Sequence, residues 1–205
     1  MARSTRNSST TQKPNKPWRR INRSPMLPER IETGRLVLRP FRYEDSKAMM
    51  SYANDEEWSR FISPPFPYTH DYAETFVRNQ ITGKSAGKAV WCIEHKGRMI
   101  GDIDLAIDTT NWSAEISYNI ARDYWGKGLM TEALAATISA AFEKERPLNR
   151  LFVRIDTRNA ASIRVAEKLG LKQEGVLRQN RFHKGDFVDD AVLALLREDW
   201  ADSAP

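Results

Sequence analysis

Residues 113–133 read SAEISYNIARDYWGKGLMTEA, and two spacings of apolar residues meet inside them. SAEISYNI has the two-residue period of a strand, whereas from Gly128 to Glu145 the positions Met130, Leu134, Thr137, Ile138, Ala141 and Phe142 fall on one face of a helix that Pro147 ends. Between them stands Tyr124-Trp125-Gly126-Lys127-Gly128. A helix start leaves about four backbone N–H groups without partners and carries partial positive charge, so it attracts phosphate. Gly126 and Gly128 lack the Cβ atoms that would hold such a ligand away, and Thr131 offers a hydroxyl in the first turn. A tight turn that needs glycine at positive φ accounts for the same residues, so the local sequence leaves both readings open. Two other phosphate folds fit worse. A Walker loop needs G-x-x-x-x-G-K-[ST], and a dinucleotide fold wants a third glycine where Thr131 stands.

Outward from this turn, RLVLRPF (35–41) alternates as a first strand, with Leu36 and Leu38 set against Arg35, Val37 and Arg39. Helices are predicted over 45–53 and 69–82, the second capped by Thr69, with the proline-bearing loop SPPFPY between them. AVWCIEH, RMIGDIDLAI and SAEISYNI form an antiparallel meander. After the long helix, LNRLFVRIDT is a strand and 160–169 a short helix, with Gly170 as its left-handed cap and Leu171 as the apolar contact beyond. LKQEGVLRQ and DFVDDAVLALL close the chain as a hairpin across His183-Lys184-Gly185. The class is α+β, with a mainly antiparallel sheet of seven strands and about four helices.

A chain of 205 residues, 40% apolar, can bury one sizeable core. Its formal charge of +5 is unevenly placed, because residues 1–30 hold eight Lys or Arg against one Glu while the rest sums to −2. That leader is rich in Ser, Thr, Asn and Pro, so it is expected to be a disordered tail ahead of a domain over 31–205. Contact with RNA or a ribosome, and organelle targeting, are the functional readings of its charge, and its prolines oppose a long targeting helix. The lone Cys92 sits in an apolar run, which suits core packing and a reducing compartment. His70, His95 and His183 lack metal-ligand spacing, so no metal is expected. Without an apolar run of about 18 residues or a secretory leader, the expected location is cytoplasmic, with no membrane partner.

The succession IETGRLVLRPF, FPYT, AEISYNI before YWGKGLMTEA, NAASIRVAEKLGL, and EGVLR before a hairpin resembles the GCN5-related N-acetyltransferase (GNAT) superfamily over roughly residues 31–196. Within it, the chain is similar to the RimJ/RimL-like branch that acetylates ribosomal-protein N-termini. The resemblance implies a GNAT fold and acetyl-CoA as donor. It implies that Ile120 pairs with the pantetheine arm, that the amides of Trp125, Gly126, Lys127, Gly128, Leu129 and Met130 hold the pyrophosphate, that Asn159 and Ser162 approach the thioester, and that Lys168 lies towards the adenosine. Asp123 stands where the family often has Gln or Arg, which weakens the tuning of the site without removing it.

Transfer to an amine needs a neutral amine, a stabilised oxyanion and a proton for the departing thiolate. The resemblance puts Glu115 where many relatives have a glutamate base, and Ser162 where the ribosomal branch has a serine that serves the thiolate. Ala166 occupies the position of the superfamily's tyrosine acid, and Arg181 that of an acidic residue in some relatives. Read from the residues alone, Glu115 is an exposed strand position and Asn159 with Ser162 is an ordinary helix start. Asp102 and Asp104 share a strand face and would attract a cationic amine, or lie on a solvated edge. Tyr68 and Tyr118 are expected to shape the acceptor groove. The leading expectation is an N-acetyltransferase, monomeric or homodimeric, acting on a protein N-terminal amine by direct attack in a ternary complex. A small-amine acetyltransferase for a polyamine, amino acid or antibiotic, and a non-catalytic acetyl-CoA-binding module, stand beside it.

Overall fold

The computed structural model describes residues 27–83, 87–145 and 147–203, so most of the basic leader lies outside the described residues. A short hairpin of β1 (Ile31–Glu32) and β2 (Val37–Arg39) leads into α1 (Asp45–Met50), α2 (Glu56–Ser59) and α3 (His70–Ile81). The meander follows as β3 (Lys88–His95), β4 (Arg98–Asp108) and β5 (Ser113–Ile120). Then come α4 (Leu129–Lys144), β6 (Arg150–Asp156), α5 (Ala160–Lys168), β7 (Lys172–His183), β8 (Asp186–Leu196) and α6 (Arg197–Ser203). Among the described residues, eight strands form one sheet in the order β1-β2-β3-β4-β5-β6-β8-β7, in which only the β5–β6 pair is parallel.

The sequence predicts seven strands and about four helices; the described residues form eight strands and six α-helices. The additions are short. β1 has two residues, α2 four and α6 seven, too few to display a period. α2 exists because Asp55 caps it, its carboxylate accepting the Trp58 N–H at 2.9 Å. The helix predicted over 45–53 ends at Met50, and the one predicted over 69–82 spans His70–Ile81 with Thr69 accepting the Tyr72 N–H. Arg39, set opposite Leu36 and Leu38 by the alternation, is buried as well.

Two apolar clusters sandwich the sheet. On one face α4 packs Leu129, Met130, Leu134, Ile138 and Phe142 against Leu36, Leu38, Ile103, Leu105 and Leu151, and its alanines let the helix lie close. On the other, α1 to α3 pack Met49, Trp58, Ala73 and Val77 over Cys92 and Met99. The described chain joins the core before β1: Leu27 packs on the first cluster, and the Pro28 carbonyl accepts the Trp91 indole N–H at 2.9 Å. No helix among the described residues is long and apolar enough to cross a membrane.

What positions the site is a gap in the sheet. β5 and β6 pair only through Ser113–Glu115 and Arg150–Phe152, after which they diverge, leaving residues 116–120 of β5 without a partner on that side.

Candidate active site

At the end of this gap, β5 runs through a 3-10 turn at Arg122–Tyr124 into α4. Gly126 and Gly128 both adopt left-handed φ, +70° and +72°, where a Cβ is strained. The first hydrogen bond of α4 runs from the Glu132 N–H to the Gly128 carbonyl at 3.1 Å, and the amides from Gly126 to Thr131 have no partner among the described residues. The turn is therefore an array of open donors at the start of a 16-residue helix. Leu129 and Met130 are buried, so their amides alone can serve a ligand, whereas Trp125 and Lys127 are exposed. The Ile120 carbonyl accepts the Trp125 indole N–H at 2.8 Å.

Across the gap stands α5. Asn159 caps it by accepting the Ser162 N–H at 3.1 Å, and the Ser162 carbonyl accepts the Tyr118 hydroxyl at 3.2 Å. Gly170, at φ +81°, follows the helix, and the Leu171 N–H closes back onto Ala166. Lys168 lies at the far end, about 13 Å along the axis from Asn159 at 1.5 Å per residue.

Asp102 and Asp104 lie on the face under α1 to α3. Asp102 is 6% exposed and receives one hydrogen bond among the described residues, from the Asn119 side-chain amide at 2.7 Å. Burial pushes its carboxyl up to about 7, against the pull of Asn119. Near it, the hydroxyls of Tyr52 and Tyr68, the Trp58 indole N–H and the Asn119 side-chain oxygen are all buried without hydrogen-bond partners among the described residues. Native proteins rarely strand so many polar atoms together, and such a group invites a polar ligand. Burial raises the Asp104 carboxyl too, opposed by Lys88 at 3.0 Å. Glu115, on the same face, is gripped at both oxygens by Arg154 at 2.7 Å.

Tyr68 and Tyr118, read together as groove residues, stand on opposite sides of the sheet. Tyr68 belongs to the cluster under α1 to α3, and Tyr118 packs on the α4 side. Further along the sheet, an open cleft of about 660 Å³ lies between the loop Ser63–Phe66 and the hairpin Arg181–Lys184. Its walls are stapled together: the Ser59 carbonyl accepts from the Lys184 ammonium, and His183 Nε2 meets the Arg60 carbonyl at 2.9 Å.

The sequence reading missed Arg35, Tyr52 and Asn119. Asn119 shared the signal of Asp102, since both lie on strands of recognisable period; the pairing that joins them is invisible without the register.

Residues 35–172 match the family model described as an Acetyltransferase (GNAT) domain. The chain is 29% identical to the uncharacterized N-acetyltransferase p20 of Bacillus licheniformis, over 84% of this chain and 99% of the relative. It is 36% identical to YdaF of Bacillus subtilis (strain 168), provisionally named a ribosomal N-acetyltransferase, over 70% of this chain and 79% of that one. Among solved structures, the ribosomal L7/L12 alpha-N-protein acetyltransferase RimL, in complex with coenzyme A, superposes with a TM-score of 0.74 at 21% identity, covering 83% of this chain and 99% of RimL; at that identity the likeness is one of fold. The divided sheet, the open glycine turn and the match over 35–172 make this chain a member of the GNAT family of N-acetyltransferases.

Proposed function

We propose that the protein transfers the acetyl group of acetyl-CoA to a primary amine, that of a protein N-terminus, by direct attack. The observation that carries the donor assignment is the unpartnered run of amides from Gly126 to Thr131 at the start of α4, whose charge and geometry suit a diphosphate. Acetyl-CoA, when bound, supplies the acyl carbon and the thiolate leaving group. The unpaired edge of β5 at residues 116–120 offers backbone groups to the pantetheine arm, with Ile120 contributing once Trp125 yields its carbonyl. Asn159 and Ser162 border the thioester end, and Lys168 lies towards the nucleotide.

Asp102 takes a proton from the α-ammonium and so frees the neutral amine whose nitrogen bonds to the acyl carbon. A carboxylate near 7 is well matched to an α-amine of about 7.7 to 8.0, so transfer between them is close to isoenergetic. Tyr52, Tyr68 and Asn119 supply the polar lining for the amine, and Asp104, paired with Lys88, lies on the same face. Glu115 is engaged at both oxygens by Arg154, so it ranks second as base. The Ser162 hydroxyl, which lies beside the Tyr118 hydroxyl, hands a proton to the thiolate as the C–S bond breaks and recovers one through water. A polypeptide acceptor is favoured by the cleft beside Phe66 and Phe182, because the exposed rings of Phe66, Phe182 and Phe187 extend apolar surface further than a small amine can cover.

The test is thiol release from acetyl-CoA in the presence of peptides with free or blocked N-termini and of small amines. Turnover confined to free peptides is expected. Turnover confined to small amines would replace the acceptor, and cofactor binding with no turnover on any amine would reduce the protein to a binding module.

A further inference from the structure

The first turn of α4 contains a problem for any anion. Glu132 sits there, and a carboxylate at a helix start competes with a phosphate for the same field. Burial by itself would raise the Glu132 carboxyl, but hydrogen bonds from the Thr33 hydroxyl at 2.6 Å, the Arg35 amide at 2.8 Å and Arg35 Nε at 2.6 Å hold it below the usual carboxylate range. It is therefore ionised at neutral pH. The same Arg35 guanidinium donates through Nη1 to the Lys127 carbonyl at 2.9 Å, inside the glycine turn. Its Nη2 lies 3.6 Å from where a Cβ on Gly128 would stand. One cation thus reaches from the β1–β2 turn, across the helix start, to the edge of the open amides.

We propose that Arg35 is a positioning residue for the donor, one that neutralises Glu132 and so keeps the turn receptive to the diphosphate. This rests on the reading of residues 126–131 as the diphosphate site. The fold alone does not require the arrangement: Thr33 and the Arg35 amide already tie the β1–β2 turn to Glu132. The guanidinium adds charge where the ligand's charge would fall.

The experiment compares KM for acetyl-CoA with KM for S-acetyl-pantetheine, which lacks the phosphates, in the full chain. Arg35→Gln is expected to raise KM for acetyl-CoA about tenfold and to leave KM for S-acetyl-pantetheine within about twofold. Arg35→Lys, which keeps the charge, should stay within about threefold of the parent on both donors. Glu132→Gln should not raise KM for acetyl-CoA, and Arg35→Gln with Glu132→Gln should recover most of the loss seen with Arg35→Gln alone. A bracing role without the electrostatic one gives the opposite pattern, with Glu132→Gln harmful and the double variant no better than the single one, and that pattern overturns the proposal. So does a parallel rise in KM for both donors. If the parent protein itself shows no preference for acetyl-CoA over S-acetyl-pantetheine, it is the diphosphate reading of the turn that fails.

Discussion

The Asn119 side-chain amide donates to Asp102 Oδ1 at 2.7 Å, across paired positions of β5 and β4. Asn119 sits on the stretch of β5 that β6 has left, so a buried carboxylate stands one strand in from the gap. Its neighbour Tyr118 turns to the other face and reaches Ser162. Two adjacent residues of one strand thereby connect the two halves of the candidate site.

Asp102→Asn should separate function from stability. Burial lifts the carboxyl from 3.8 to about 7, so between those values the folded protein holds a proton that the unfolded chain has released. Stability therefore falls as pH rises from about 4 to about 7, and is level above. The amide variant escapes this loss, so its melting temperature should exceed that of the parent at pH 8 and converge with it near pH 4. Turnover should drop at least about a hundredfold, and the rise of kcat/KM through pH 7 should lose its Asp102 component.

Gly128→Ala should weaken donor binding and stability together. At φ +72° an alanine is strained by about 1–2 kcal/mol, while its Cβ would meet Arg35 Nη2 at an ordinary 3.6 Å. Urea denaturation would register the strain, and a raised KM for acetyl-CoA the obstructed turn.

Ser162→Ala is expected to cost little stability, within about 1 kcal/mol, because Asn159 and Tyr118 also bond its backbone, and those bonds survive the loss of the hydroxyl. A fall in kcat of about tenfold or more at steady KM would assign the hydroxyl to the thiolate. Unchanged kcat would leave that proton to water.

Arg39→Met should be the most damaging of these changes to the fold. The guanidinium is buried, with Asp45 accepting at 2.8 and 2.9 Å and Glu94 at 2.5 Å. Removing it leaves Asp45 and Glu94 without their shared guanidinium, and breaking such a buried pair costs about 3–5 kcal/mol. A lowered urea midpoint with unchanged slope would confirm it.

Arg39 also shows where sequence reading stops. Alternation in RLVLRPF sets it opposite Leu36 and Leu38 and says nothing of its burial; it is buried because Asp45 and Glu94 arrive from α1 and β3 to neutralise it. Asp102 and Asp104 were legible as a shared face, but the burial that raises the Asp102 carboxyl comes with the segment carrying Tyr52 and Tyr68. Glu115 was readable as a carboxylate beside the turn, whereas its engagement by Arg154 required knowing that β6 runs alongside β5.

By itself the sequence determined the class, the order of the main elements and the glycine turn, because a helix period, a strand period and a pair of φ-positive glycines are each written within about twenty residues. Tertiary structure alone decided where β5 and β6 part, which carboxylate is desolvated and how Arg35 meets Glu132. Each of these depends on charges or strands from distant segments, whose mutual distance no local pattern encodes.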